Sequence, residues 1–150
     1  MSDETPDETP DETTGETTGP VARTLHVYPE KLAIVRLGPG AEVPPWAEAS
    51  SLLSITATAT ETSVICAGRD VPRKVPAHRG YTAFVVAGVL DPTEVGVLHG
   101  LLTPLVEEGI GVMTVSTHDT DWLLVPALQA ERAAEAWRRS GHTVTPAPVA

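Results

Sequence analysis

The stretch 91-DPTEVGVLHGLLTPLVEEGIGVMTVSTHDTDWLLV-125 contains, in order, the patterns of a helix, a strand, a polar turn and a second strand. Asp91 suits a helix N-cap, Pro92 suits the first helical position, and Glu94 completes a capping-box pattern. Gly109 is a natural helix stop. Apolar residues recur at helical spacing between these ends, at Val95, Leu98, Leu101, Leu102 and Leu105. The pattern therefore predicts one amphipathic helix that leads into a hairpin.

Similar patterns extend this core in both directions. A strand is predicted before Asp91, and strands are predicted over 110–117 and 121–126. A second helix is predicted at roughly 127–140, followed by Gly141 and a last strand in "HTVTP". Its inward residues are Leu128, Ala133, Ala134 and Trp137. The order β-α-β-β-α-β is typical of a ferredoxin-like α+β module with both helices on one face of an antiparallel sheet.

The chain before this module has strand patterns and little helix. Residues 22–72 are predicted to form a β-rich module whose first strand pair, within 24–37, breaks at Pro29, which lacks the donor that a ladder needs. A linker with prolines and basic residues leads to a second module over 79–146. Because the open face of so small a module needs a cover, the first module is the expected neighbour.

The N-terminal end differs in composition from the rest. Residues 1–21 carry an acidic repeat without a large apolar side chain except at its two ends, which predicts a disordered tail. The chain has a formal charge of −10, and removing the seven acids of the first 20 residues leaves −3 for the rest. This balance provides no basic face for nucleic acid.

The sequence gives few signals of other classes of protein. No apolar run reaches the ~20 residues of a membrane span, and the acidic N-terminus does not resemble a signal peptide. Cys66 is the only cysteine, so a disulfide within one chain or a zinc site built from several cysteines is excluded. We expect a cytoplasmic protein without a cofactor, and a small buried hydrophobe at Cys66.

The polar turn between Ser116 and Asp121 admits several interpretations. His118, Asp119 and Asp121 offer metal ligands, but no second His or Cys cluster accompanies them. The same histidine and carboxylates could shuttle protons, although no nucleophile motif is present. A hairpin turn whose Asp and Thr side chains bond their own backbone explains the residues equally well. Elsewhere, Gly96 and Gly100 lie four apart and allow close approach of a sheet or a ligand.

From Tyr81 onward the sequence resembles an ACT domain, and more narrowly the CASTOR-type ACT family, which includes cytosolic arginine sensors of animals and many small bacterial proteins. The most specific stretch is 107-EEGIGVMTVSTHDTDWLLVP-126, and "TLHVYPEKLAIVRLGPG" resembles the family's first half. The resemblance implies tandem ACT (βαββαβ) modules with antiparallel sheets. It also implies a free amino acid held where modules meet.

The family's ligand residues map onto six positions of this chain. By this resemblance, Asp121 holds the amino end of the ligand, Thr117 and His118 lie in the loop beside it, and Glu94 meets a cationic side chain. Ile110 and Gly111 lie where a partner module offers backbone groups to the ligand. Two oriented donors near a carboxylate and an anion near an ammonium are what a zwitterion requires. Because the chain carries one such set, a complete interface requires a homodimer.

The sequence therefore predicts a non-catalytic regulatory module that binds a free amino acid, dimerises and has no metal site. A regulated protein partner is part of this hypothesis. Two alternatives remain. The first is a protein–protein interaction module with a vestigial ligand site, and the second is a small enzyme that uses His118 and Asp121.

Overall fold

The structure, a computed structural model, describes residues 21–148. The tail predicted for residues 1–21 lies outside this range except for Val21. The described part contains, in chain order, β1 (Thr24–Leu37), β2 (Ser54–Ala57), β3 (Thr62–Ala67), β4 (His78–Val86), α1 (Val97–Glu107), β5 (Met113–Ser116), β6 (Asp121–Pro126), α2 (Ala130–Arg139) and β7 (Thr143–Pro146). Short 3-10 turns, Gly68–Asp70 and Ala127–Gln129, precede β4 and α2. The predicted α+β class is confirmed.

All seven strands belong to one sheet, in the order β2-β3-β1-β4-β6-β5, with β7 pairing against β1. Every pairing is antiparallel except that of β1 with β7. The prediction of tandem modules with separate sheets is therefore corrected: the β-rich first part extends the same sheet edge to edge. No α-helix lies before residue 97 in the described range, so a βαββαβ pattern is not found in that part.

Strand β1 joins the two parts because it does not break at Pro29. Its register against β4 shifts between Val27 and Lys31, so the residues between them form a bulge rather than an interruption. Proline is tolerated there because three residues of β1, 28–30, lie opposite one residue of β4, so the bulge leaves residues outside the ladder. The first residues of β1 pair in parallel with β7, so a strand from the N-terminal part lies between β4 and β7.

Both helices pack on one face of the sheet. Trp137 of α2 is fully buried, its ring meets Phe84 edge to face with centroids 4.8 Å apart, and its Nε1 donates to the Leu101 carbonyl of α1 at 2.8 Å. Ala133 and Ala134 are buried as predicted, whereas Leu128 is 99% exposed because a 3-10 turn places it before α2. The burial of Ala133, Ala134 and Trp137 fixes the helix pair over β4 and β6.

The opposite face of the sheet is covered from within the chain. Leu52 and the partly buried Ala49, from the loop between β1 and β2, pack against a cluster that includes Trp122 and Leu124. Tyr28 stacks on Trp122 with ring centroids 5.4 Å apart. The N-terminal part thus covers the open face with a loop rather than with a second sheet. Cys66 is buried in a third cluster as a free thiol, and burial raises its pKa.

A buried carboxylate holds the covering loop in place. Glu30, in the bulge of β1, is 9% exposed and accepts hydrogen bonds from the backbone N–H groups and hydroxyls of Ser50 and Ser51. Arg69 Nη1 lies 2.7 Å from its Oε2. Burial acts to raise the pKa of Glu30, but these hydrogen bonds outweigh it and lower the pKa to about 2. This anchor joins three segments that are distant in sequence.

The first helix starts later than its capping-box pattern predicts. Asp91 Oδ1 accepts the backbone N–H and the hydroxyl of Thr93 at 2.8 and 2.7 Å, which forms a local turn. Helix α1 begins at Val97 after Gly96, whose φ of 87° lies in the left-handed region that glycine enters at low cost. Val95 is consequently outside the helix and 93% exposed. The predicted stop at Gly109 is confirmed by its φ of 68°.

Candidate functional site

A cleft of about 260 Å³ lies between the loop that joins β4 to α1 and the turn that joins β5 to β6. Residues from both segments line it, including Asp91, Glu94, Val97, Thr117, His118 and Asp121. The two segments are in contact, since the Leu90 N–H donates to the Asp119 carbonyl at 2.7 Å. Four of the six residues predicted to bind a ligand therefore line one cleft, although 23 positions separate Glu94 from Thr117.

The turn has an internal hydrogen-bond network. The Thr117 N–H donates to the Thr120 carbonyl at 2.8 Å, the Thr120 N–H donates to Thr117 Oγ1 at 3.1 Å, and the two hydroxyls contact each other. Trp122 Nε1 donates to Thr120 Oγ1 at 2.9 Å, which ties the turn to the sheet. The hydroxyls thus serve the hairpin itself, as the structural interpretation of the turn predicts.

Asp121 has spare capacity to accept hydrogen bonds. It is the first residue of β6, half-buried, and lies opposite Ser116 in the ladder. Ser116 Oγ donates to its Oδ1 at 2.6 Å. Within residues 21–148 its second oxygen, Oδ2, makes no hydrogen bond. The serine orients the carboxylate at the cleft wall and leaves one oxygen for a donor from outside.

The His118 side chain is open to solvent. Its side chain is 92% exposed, and its Nδ1 lies 2.7 Å from Asp119 Oδ1, its immediate neighbour. Among the described residues no group of three or more His, Cys, Asp or Glu side chains is arranged to hold a metal ion. The side chains of His118 and Asp119 are thus largely open to water, although His118 also lines the cleft.

Glu94 brings a second carboxylate to the cleft, but not as a helix cap. Its backbone N–H donates to the Asp91 carbonyl at 3.0 Å, and its side chain forms an ion pair with Arg23 from the start of the sheet. The Arg23 guanidinium is largely buried, whereas the Glu94 carboxylate is partly exposed. The pair holds Glu94 in place at the edge of the cleft.

Ile110 and Gly111 lie away from this cleft. Ile110 is buried, and its N–H donates to the Leu105 carbonyl at 2.9 Å as part of the helix end. Gly111 lines a separate cavity of about 370 Å³ beside Tyr81 and Pro126, at the opposite end of β5. Within one chain the two residues therefore do not join the other four. The Ile110 N–H is also already paired and is not available to a ligand.

The sequence-based interpretation missed a larger cavity. It has a volume of about 440 Å³ and lies on the outer side of α1, between that helix, Arg23 and the turn before β7. Gly96 and Gly100 line it, so the spacing of these glycines was the one signal that the sequence offered. His142 and Arg23, which also line it, are 119 residues apart, and no local pattern connects them.

Comparisons with known families bear on the cleft. Residues 77–139 match a family model described as an ACT domain, and residues 30–74 match a model described as an N-terminal domain. No curated protein matches the chain. In the described part, no helix has both the length and the apolar character to cross a membrane. The cleft lies within the segment that matches the ACT-domain model.

Several solved structures share the fold. The chain is similar to a protein of Agrobacterium tumefaciens, with 29% identity, a TM-score of 0.79, and coverage of 86% of this chain and 96% of that one. It is also similar to the regulatory subunit of aspartate kinase from Thermus flavus, with 13% identity, a TM-score of 0.56, and coverage of 80% and 99%. For the aspartate kinase of Clostridium acetobutylicum the values are 10%, 0.61, and 86% and 37%. The fold is therefore ACT-like.

Proposed function

We propose that this chain is a non-catalytic regulatory module that binds a free amino acid in the cleft between the β4–α1 loop and the β5–β6 turn. One observation carries the proposal: Asp121, Thr117, His118 and Glu94 line one cleft within the segment that matches the ACT-domain model. Asp91 also lines this cleft, so three carboxylate side chains of the described residues contribute to its walls.

The chemistry of the cleft favours a ligand that carries ammonium groups. Asp121 Oδ2 offers an acceptor for an α-ammonium group, held in orientation by Ser116. Glu94 and Asp91 add carboxylates from the opposite wall, where Arg23 engages Oε1 of Glu94. Charge-assisted hydrogen bonds of this kind are shorter and stronger than neutral ones, so a cationic amino acid suits the cleft best. The kinship to the CASTOR-type family agrees with this choice and is itself part of the proposal.

The carboxylate of the ligand needs donors, and we propose that a second copy of the chain provides them. Strand β5 is at the edge of the described sheet. Antiparallel pairing of two β5 strands, with the two-fold axis at Thr114, places Gly111 of one copy opposite Thr117 in the turn of the other. The two residues match because each lies three residues from the axis, at about 3.4 Å per residue. The two-fold arrangement makes two equivalent sites, in which Gly111 rather than the already paired Ile110 offers its N–H.

If two β5 strands pair in this dimer, a charged residue on β5 should disrupt dimer formation. Thr114 is exposed at the middle of the proposed pairing, where a two-fold axis brings both copies of this residue together. Thr114→Lys should convert the dimer to a monomer, because like charges directly opposite each other oppose edge pairing. Thr56→Lys, on the other edge strand β2, is the matched control and should leave the mass unchanged. Light scattering at micromolar concentration measures both; a monomeric wild type contradicts the proposal.

The proposed function is tested by a thermal-shift screen of the twenty amino acids. We expect one amino acid, or a few related ones, to raise the Tm, and we expect no turnover of that compound. Binding at a hundredfold excess over Kd stabilises the folded state by about 2.7 kcal/mol, which is well within detection. A Tm that no amino acid changes would favour the protein–protein interaction module, and consumption of the ligand would favour an enzyme.

The remaining parts of the hypothesis rest on the same resemblance. We propose that the chain divides functionally into modules at 22–72 and 79–146, which share β1 in one sheet. A cytoplasmic location and a regulated protein partner also belong to this proposal. A partner is expected to respond to the ligand-bound dimer, so a pull-down with and without the amino acid from the screen tests it.

A further inference from the structure

The 440 Å³ cavity on the outer side of α1 has a chemistry different from that of the amino-acid cleft. Its walls combine apolar side chains, including Val21, Val95 and Leu101, with the polar residues Arg23, His99, Thr103, Glu107, Ser140 and His142. Its volume is in the range of small-molecule sites, which are mostly apolar with a few placed polar groups. Arg23 and His142 are the two polar residues of this set that are largely buried, and they indicate what a ligand would contribute.

His142 is a buried hydrogen-bond donor whose acceptor is missing from residues 21–148. The side chain is 5% exposed, and its Nδ1 accepts the Arg23 backbone N–H at 3.1 Å. Because Nδ1 accepts this N–H it carries no proton, so the ring proton is on Nε2. Burial, together with the Arg23 charge, lowers the pKa of His142 and thereby favours this neutral ring. Among the described residues Nε2 has no partner. A buried donor left unpaired destabilises the folded state, and an acceptor from outside would recover this loss.

Arg23 provides a positive charge beside this donor. Its side chain is 14% exposed and bonds Glu94 through Nη2, and the other N–H groups of the guanidinium bond nothing within the described range. A guanidinium presents its N–H groups in a planar fork that matches the two oxygens of a carboxylate. Among residues 21–148 the acid that lines the cavity is Glu107, exposed at the end of α1, and it disfavours an anion that remains at the mouth.

The backbone of α1 leaves room between these groups and the solvent. Gly96 and Gly100 replace side chains that would project into the space, and no atom lies within 4 Å of a Cβ built on Gly96. Val21 and Val95 form an exposed apolar rim. Because Nε2 is shielded from water, a ligand reaches it only after a side chain of the wall moves.

We infer that this cavity binds a small carboxylic acid with an apolar body, whose carboxylate lies between the Arg23 guanidinium and the His142 Nε2–H. Arg23 and His142 offer hydrogen-bond donors to an anion, whereas Asp121 and Glu94 of the amino-acid cleft offer acceptors to a cation. The two sites therefore select opposite charges. The Arg23–Glu94 ion pair lies between them, with one member on each cavity.

The inference is tested with defined probes. 4-Methylpentanoate and phenylacetate are titrated into the full chain by calorimetry, with 4-methylpentanol and phenylethanol as uncharged analogues. We expect the acids to bind and the alcohols to bind at least tenfold more weakly. Failure of both acids to bind at millimolar concentration, or equal binding of acid and alcohol, overturns the inference.

Variants locate the binding. His142→Asn retains an acceptor at the position of Nδ1 and removes the Nε2 donor, so it should weaken acid binding at least tenfold. His142→Gln places a donor near Nε2 and should restore part of the affinity. Gly100→Leu fills the cavity and should abolish binding, while Val106→Leu, at an exposed position of the same helix outside the cavity, should not change it. A folded Gly100→Leu protein that binds like wild type places the acid elsewhere and overturns the inference.

One further variant separates this site from the amino-acid cleft. Asp121→Asn should leave acid binding unchanged, because Asp121 lines the other cavity. If it abolishes acid binding, the probes occupy the cleft, and the inference fails while the proposed function stands. If no amino acid binds but the acids do, the reverse holds.

Discussion

Replacing Glu30 by glutamine should lower the free energy of unfolding by about 3 kcal/mol at neutral pH. The carboxylate is buried, and its pKa falls from 4.5 to about 2 in the folded protein because Ser51, Ser50 and Arg69 donate to it. One pKa unit corresponds to about 1.4 kcal/mol, so this difference amounts to roughly 3 kcal/mol of stability. Glutamine preserves the shape but not the charge, and it leaves Arg69 without its partner.

The pH dependence distinguishes this mechanism from a simple packing defect. A carboxylate with a depressed folded pKa stabilises the protein fully above its unfolded pKa, and this contribution is lost as the pH falls from 4.5 towards 2. The difference between wild type and Glu30→Gln should therefore shrink between pH 5 and about pH 2. Urea unfolding across this range measures it. A difference that stays constant with pH would show that the charge of Glu30 is not responsible.

Glu61→Gln is the matched control for this prediction. Glu61 also pairs with an arginine, since its Oε2 lies 3.7 Å from Arg36 Nε, but both side chains are exposed. Exposed pairs contribute little because water and salt screen them, so we expect a change of less than about 0.5 kcal/mol. A loss of similar size in both variants would mean that burial does not set the strength of the Glu30 anchor.

Local sequence patterns predicted the elements of the ACT-like half well. The strand at 121–126 and the helix carrying Ala133 and Trp137 are where periodicity places them, because a long apolar run or stripe has one energetically acceptable environment. The stop at Gly109 was also predictable, since its left-handed φ is a property of the residue itself.

Capping signals near Asp91 were ambiguous in a way that the sequence alone could not resolve. Aspartate offers the same oxygen to a helix N-terminus or to a local turn, and here Thr93 satisfies it. The glycine at 96 then permits the chain to turn into α1, so Glu94 faces the cleft and Arg23 rather than the helix start. Glu94 therefore lies at the cleft because of its ion pair with Arg23, and not because it caps the helix as the sequence pattern predicted.

Long-range pairings account for most of what the sequence did not predict. Strand β1 stays continuous through the bulge at Pro29 only because β4 pairs with β1 both before and after the bulge. Which strand lies beside β1 depends on the packing of the whole sheet. The Glu30 anchor and the Arg23–His142 contact join segments at least 20 residues apart. No periodicity encodes such contacts. The two cavities therefore differ in predictability: resemblance indicated the cleft, and the α1 cavity became visible only in three dimensions.

Asp121→Asn should weaken binding of the amino acid by about tenfold to a hundredfold. We propose that Asp121 Oδ2 accepts a hydrogen bond from the ligand's ammonium, and losing a charge-assisted contact of this kind costs about 1.5–3 kcal/mol. Asparagine keeps an oxygen that accepts from Ser116, so the hairpin retains its hydrogen bond. Calorimetric titration of the amino acid selected by the screen measures the change in Kd.

Asp119→Asn is the matched control, since it removes the same charge from the same turn. The Asp119 carboxylate is exposed, and within residues 21–148 it contacts only His118. Asp119 contributes to the fold through its backbone carbonyl, which accepts the Leu90 N–H, and the substitution leaves this bond in place. We therefore expect less than about a twofold change in Kd, because a solvated charge outside the cleft is largely screened. Neither variant should shift the Tm by more than a degree or two, given that exposed substitutions seldom exceed ±0.5 kcal/mol.

Three outcomes would refute the role of Asp121. If Asp121→Asn binds as tightly as wild type, the carboxylate does not contact the ammonium, and Glu94 and Asp91 are the remaining anions of the cleft. If Asp121→Asn unfolds, the Ser116 hydrogen bond needs the charge, and the turn is structural, as its network through Thr117 and Thr120 would then explain. Equal losses in Asp121→Asn and Asp119→Asn would indicate that the net charge of the turn attracts the ligand without a specific contact.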